Sequence, residues 1–431
     1  MRTTQEIIMI TSDKVLPRNL WEWLLLPFII GIMTLSLIEG LSKIMVLYGI
    51  LLSWLFLIYF LYQKLKLQPE VMLFFAWLIW SIIGLITAID LNLYVQNLKT
   101  IIQMAVLIFT VAGITALNRN LITLMFAIAL GGAIVLLSGY FTGDFQIASD
   151  ISSRTRAMGL AENANEFAYL LLFLIFAIFF FWESRSSLGW RVLLLTLVTF
   201  AVLGIIYSGS RKIFLAFLAF ISLWFLFCQS KKFFKNPVPT TIILMIVSIS
   251  LFFAIDYVMS NTYLGQRLRA NNIEHGSESR IQMYKDGFDM IREHPILGVG
   301  LNNYRALSTS GLYSHSDYIE VAANTGIVGF LLYFSIYIVL WRRLSRIQSR
   351  TNESHLLYLI GLLKAVILTI LLVAFGKPNI TSKLTWLFLA AAIGYSWSIE
   401  RIFSADLKSK QLVSENNNPT CIIHKIKPQR R

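Results

Sequence analysis

The chain has 431 residues, 57% hydrophobic and 14% charged, with a formal net charge of +14. That balance excludes an ordinary soluble or disordered protein and fits a polytopic membrane protein. Its two cysteines, Cys228 at the end of an apolar run and Cys421 in a polar tail, provide neither a disulfide framework nor a metal cluster.

A hydrocarbon core of roughly 30 Å asks for about 20 apolar residues per helix. Twelve segments qualify in chain order: 20–38, 41–62, 71–89, 100–117, 121–141, 166–182, 190–207, 212–228, 240–260, 318–341, 355–375 and 384–403. The first, from Trp21 to Ile38, has no small-residue cleavage site and is expected to be retained. The predicted fold class is therefore an all-α membrane bundle of about twelve transmembrane helices over residues 1–403. A basic, disordered tail is expected over residues 404–431.

Lysine and arginine in the loops set the orientation. With both termini on one side, that side collects 22 of them, against 8 on the other once the long 261–317 loop is left out. Both termini are thus expected to be cytoplasmic. The positive charge then faces anionic lipid headgroups and requires no nucleic-acid partner.

Two connections on the opposite, periplasmic side are long, residues 142–165 and 261–317, and together they are expected to cover an active site. In the larger one, Ile281, Tyr284, Phe288 and Ile291 recur at helical spacing, which predicts an amphipathic helix lying on the bundle or the headgroups. "HPILGVG" ends that helix, because Pro295 disfavours helical geometry at His294 while Gly298 and Gly300 permit tight turns. The "GVG" is not a dinucleotide fingerprint, since Asn303 stands where a third glycine would be.

Candidate chemistry collects in the same loops. His315-Ser316 is followed after nine residues by Gly326-Ile327-Val328-Gly329. A histidine at an aqueous membrane surface can accept a proton from a hydroxyl; an interfacial histidine solvating a loop end has the same sequence appearance. Gly326 and Gly329 permit close helix packing or substrate approach. Arg211 and Lys212 stand at the entrance of the eighth span, where they either grip phosphate or snorkel. Arg280 in the large loop, with Arg154 and Arg156 in the smaller one, adds positive charge if the loops fold over one site, although each alone reads as a solvated charge.

Asp317 and Glu320 could orient the imidazole or bind sugar hydroxyls, and Ser316 or Asp317 could equally cap a helix. Lys364 lies mid-span, where an ammonium needs a partner such as Asp256 or a protein-lined cavity. Neither a P-loop nor a zinc cluster nor an aspartate-rich metal motif is visible, so chemistry without metal or cofactor is the expectation.

Three stretches, "SRKIFL" from Ser210, "HPILGVGLNNY" from His294 and "HSDYIEVAANTGIVG" from His315, resemble the O-antigen ligase and polymerase superfamily of bacterial membrane glycosyltransferases. "RAMGLAENANEFAYL" from Arg156 extends the similarity, but has Asn163-Ala164-Asn165 where the family favours Asn-Pro-Asn; these asparagines could equally cap the following helix. The resemblance covers residues 150 to 340 by motif and the remainder by topology. It implies a multi-pass protein of the bacterial inner membrane. The implied donor is an undecaprenyl-pyrophosphate-linked glycan, and the acceptor a lipid A-core or another lipid-linked glycan. It further implies His315 as general base and Arg211 and Arg280 as pyrophosphate ligands. The competing reading is a twelve-span polysaccharide transporter or flippase, for which Lys364 is the best argument.

Overall fold

Lipid offers no partner to a bare N–H or C=O, so a chain this apolar can cross a membrane only as helices or a closed barrel. The computed structural model describes residues 19–38, 40–118, 121–142, 156–161, 163–183, 187–229, 257–258, 260, 262–268 and 270–416. Among them there is no strand. The helices are α1 (Leu20–Met33), α2 (Leu41–Tyr62), α3 (Pro69–Ile83), α4 (Leu91–Asn118), α5 (Leu121–Phe141), α6 (Ala164–Phe181) and α7 (Leu188–Tyr207). They continue as α8 (Arg211–Trp224), α9 (Tyr263–Leu268), α10 (Ala270–Glu293), α11 (Asn303–Leu307), α12 (Asp317–Arg350), α13 (Ser354–Val373) and α14 (Lys383–Asn416).

Ten helices among the described residues are long and apolar enough to cross a membrane, which makes this an all-α polytopic membrane protein. Of the twelve expected spans, 240–260 lies almost wholly outside the described residues. The last, 384–403, is α14; it is less apolar than the ten, and its place follows from packing along α4, where Gly394 meets the Ala112 backbone. This helix continues through Asn416, so the segment after residue 403 begins as helix.

A helix that is apolar all round belongs in the middle of a bundle. The run "ANEFAYLLLFLIFAIFFF" makes α6 such a helix: 89% of its span is buried, against 17% for the span that begins at Arg211. It packs against α5, α7, α8 and α13.

The feature that shapes one end of the bundle is a break in α12. Gly326 adopts φ 65°, ψ −175°, which separates a short helix over residues 317–325 from the long run that follows. The freed backbone groups find partners nearby. The Ile327 N–H donates to the Pro295 carbonyl (2.8 Å), Val299 and Gly300 donate to the carbonyls of Ala323 and Asn324 (2.9 and 3.1 Å), and Trp80 Nε1 donates to that of Thr325 (3.0 Å). The "HPILGVG" turn is therefore a clamp on the "NTGIVG" break, and its glycines serve close approach. A Cβ on Gly326 would lie 2.0 Å from the Ile296 oxygen, and one on Gly298 2.5 Å from the Asn324 carbonyl carbon.

Clamped in this way, α10 lies across the short helix, with Gly287 against Ile319 and Tyr304 donating its hydroxyl to the Met283 carbonyl. Its buried stripe is Met283, Gly287 and Met290, with Tyr284 and Ile291 half-buried. Of the predicted stripe, Tyr284 and Ile291 turn toward the bundle, while Ile281 and Phe288 are 53% and 56% exposed. Glycine carries no hydrophobicity, so the residue that allows the closest contact was invisible to a pattern of apolar side chains.

At the far end, Arg343, only 1% exposed, bridges Glu70 on α3 (2.7 Å) and Glu400 on α14 (3.0 Å), and lies over the Trp397 ring. Lys364 donates to Gln348 Oε1 (2.7 Å) and lies over the Trp341 ring, so its ammonium is paired within the bundle. Asp256, its suggested partner, lies outside the described residues.

Gly326→Ala is expected to cost at least about 2 kcal/mol, from the left-handed backbone plus the clash with Ile296. Gly311 shares φ +65° but has open space around it, so Gly311→Ala should cost only about 1 kcal/mol. Thermal unfolding of both variants in detergent would check the difference; equal losses would show that the clamp tolerates a methyl group.

Candidate functional site

His315 stands in the link between α11 and the broken helix α12, and its backbone is held in the left-handed region at φ 58°. An L-residue is placed there only when its neighbours are fixed. They are: the buried Ser314 hydroxyl donates to the Ser316 carbonyl (2.8 Å) and accepts from the Ser316 N–H (3.2 Å), bridging across His315. Glu320 accepts from the Ser314 N–H (2.8 Å) and from Asn324 Nδ2 (3.1 Å). Asp317 accepts from the N–H groups of Asn379 (2.8 Å) and Ile380 (3.0 Å) and from the Tyr333 hydroxyl (2.8 Å).

Both carboxylates thus brace the backbone on either side of His315, and neither is given to the imidazole. Ser316 occupies the N-cap position of α12 without a side-chain cap bond. The imidazole lies against the Tyr313 ring, 4.3 Å between centroids, and its buried Nδ1 has no hydrogen-bond partner among the described residues.

Cations surround this imidazole. Burial, reinforced by the charges of Lys212 and Arg280, pulls the His315 pKa down to about 4, so the ring is neutral at pH 7. Lys212 donates to the Gly376 carbonyl (2.8 Å), and Lys377, Arg280 and Arg156 bring positive charge into the same space. Arg156 is held by the Ser208 carbonyl (2.8 Å) and Asn165 Oδ1 (3.1 Å). Asn163 caps α6, accepting from the N–H groups of Asn165 (2.9 Å) and Glu166 (3.4 Å). Lys377 pairs with Glu166 and lies 3.8 Å from the Tyr169 ring centroid.

His315, Lys212, Arg280 and Arg156 are therefore brought together. Arg211 opens α8 one residue before Lys212, and successive helical side chains point roughly 100° apart. Of this adjacent pair it is Lys212 whose charge, with that of Arg280, bears on His315. Arg154 lies outside the described residues. Sequence reasoning missed Ser314, Tyr313 and Lys377. Ser314 and Tyr313 were legible as neighbours of His315, whereas Lys377 enters from a turn about 60 residues away with no local signal.

A neutral imidazole under the charges of Lys212 and Arg280, at one end of a polytopic bundle, marks a polar site in a membrane protein. Residues 197–334 match the family model described as O-antigen ligase. That stretch is similar to the O-antigen ligase domain, and it is the part of the chain that carries the resemblance. The matched stretch holds Arg211, Lys212, Arg280, His315 and the Gly298–Gly326 clamp, while Arg156, Asn163 and Asn165 precede it. No curated protein matches the chain.

Because the folded pKa of His315 lies below its ordinary 6.5, the unfolded chain takes up this proton first. Its contribution to stability is complete above about pH 6.5 and is lost as pH falls toward 4. Removing a neighbouring charge by Arg280→Gln or Lys212→Gln should raise the His315 pKa, as followed by NMR of labelled histidine. An unchanged or lower value would show that those charges do not act on the ring.

Proposed function

We propose that the protein transfers a glycan from an undecaprenyl-pyrophosphate-linked donor to an acceptor hydroxyl at the periplasmic face of the bacterial inner membrane. The observation that carries this reading is the placement of a neutral imidazole among Lys212, Arg280 and Arg156 inside a membrane-embedded O-antigen ligase domain. The excess of lysine and arginine in the loops at the opposite end supports the periplasmic assignment.

In this mechanism Arg280, Lys212, Arg211 and Arg156 hold the donor pyrophosphate. The acceptor oxygen attacks the anomeric carbon, and its proton passes to His315. The bond from that carbon to the pyrophosphate oxygen breaks, and both electrons leave with the lipid pyrophosphate. Direct displacement inverts the anomeric centre, and the cations stabilise the charge that develops on the leaving group. No metal or cofactor is assigned a role. Asp317 and Glu320 act by fixing the His315 backbone.

The same cations give the donor a second effect. Burial is the larger reason that His315 is a weak base, and Lys212 and Arg280 add to it; a bound pyrophosphate neutralises these two, so the ring becomes a better proton acceptor once the donor is seated. Transport would assign Lys364 to a conducting path, but its ammonium is taken up by Gln348 and Trp341.

The test is transfer by purified protein supplied with lipid-linked oligosaccharide and acceptor; no product from wild type would sink the enzyme reading. His315→Ala should lower turnover by at least about 100-fold. Arg280→Lys should impair donor use more than acceptor use. The acid limb of the pH profile should lie higher in kcat than in kcat/KM, because kcat reports the donor-bound enzyme. The reverse order would refute neutralisation of the cations by the donor.

A further inference from the structure

Beside the His315 site lies a polar cleft whose walls include Asn302, Tyr313, Glu320, Asn324, Lys377 and Thr381. Across Lys377, Pro378 and Thr381 it adjoins a second cavity bordered by Ser36, Glu166, Ser382 and Lys383. That cavity shares Ile32, Ser36 and Lys383 with a third space of different character, a groove walled by Phe28, Ile32, Met45, Ile50, Val106 and Leu107. Through these shared walls the three lie in series, from the polar cleft to an apolar groove bounded by α1, α2 and α4. Ile50 and Ile102 on its rim are 44% and 43% exposed, so the groove opens sideways, where the lipid would be.

Its mouth carries charge. Lys383, half-buried at the start of α14, has no ion-pair or hydrogen-bond partner among the described residues. Gln103 is half-buried beside it in the same groove. One cation above an apolar slot matches one phosphate group carried on one hydrocarbon chain. None of the residues placed around the donor pyrophosphate lines the groove: Lys212 and Arg211 belong to α8, Arg280 to α10, and Arg156 precedes α6.

We infer that this groove binds the polyprenyl chain of a second phosphate-bearing lipid, the acceptor, with its phosphate at Lys383 and its glycan reaching past Lys377 and Pro378 to His315. The inference rests on the transferase reading and names its acceptor class. Both substrates are then membrane lipids that approach His315 from different sides of the bundle, an arrangement suited to chain extension, in which a glycan moves from one lipid carrier to the sugar of another.

The test reads binding without transfer, so a protein that failed the transfer assay could still pass it. Full-length protein in phosphatidylcholine vesicles is irradiated with a polyprenyl monophosphate carrying a diazirine in its tail. Label is expected on the α1 and α2 peptides containing Phe28 to Ile32 and Met45 to Ile50. Unlabelled polyprenyl phosphate should displace it and uncharged polyprenol should not. Lys383→Gln should reduce labelling about tenfold, the size of a lost charge-assisted contact. Ile50→Trp, which fills the groove, should also reduce it. Leu47→Trp, on the exposed side of α2, and Arg280→Gln should leave it unchanged. Label spread evenly over the exposed helices, equal displacement by polyprenol, insensitivity to Lys383→Gln, or loss on Arg280→Gln would each overturn the inference.

Discussion

Everything at the functional end depends on how a broken helix satisfies its backbone. A helix interrupted near lipid exposes N–H and C=O groups that the bilayer cannot accept. Here the His294–Gly300 turn and Trp80 accept or supply the missing bonds around Gly326. That single repair fixes the short helix at residues 317–325, and α10 rests on this helix through Gly287. His315 and Arg280 therefore reach the same space because one turn is bonded to one break.

The site's electrostatics follow a similar economy. Carboxylates stand beside the imidazole in sequence, yet Asp317 is saturated by two backbone N–H groups and a tyrosine, and Glu320 by Ser314 and Asn324. Glu166 is paired with Lys377. Burial, with the charges of Lys212 and Arg280 added to it, depresses the basicity of the histidine. Strain at His315 is supported by the Ser314 bridge, which fixes the backbone that carries the ring.

Much of this was legible in the sequence. Ten helices matched segments chosen on length and apolarity alone, and the candidate residues His315, Lys212, Arg280 and Arg156 converge. What escaped was contact between distant segments. Adjacency placed Asp317 and Glu320 beside the imidazole, and it could not show that Asp317 accepts from the Asn379 and Ile380 backbone or Glu320 from that of Ser314. Arg211 and Lys212 looked equivalent as neighbours, but a helix points them apart. Gly287 and Gly326 matter through the atoms they let in, and a sequence shows a glycine without showing what lies against it.

At the other end, Arg343 joins Glu70 and Glu400 across 330 positions of chain. A chain threaded into a bilayer from its beginning presents Glu70 early, Arg343 much later and Glu400 last. Until α12 arrives, Glu70 is a carboxylate without its guanidinium, and until α14 arrives, Arg343 lacks its second carboxylate and Arg346 its partner. The buried ion cluster thus links the first third of the polypeptide to the last helix among the described residues, and its bonds cannot all form until nearly the whole chain has been made.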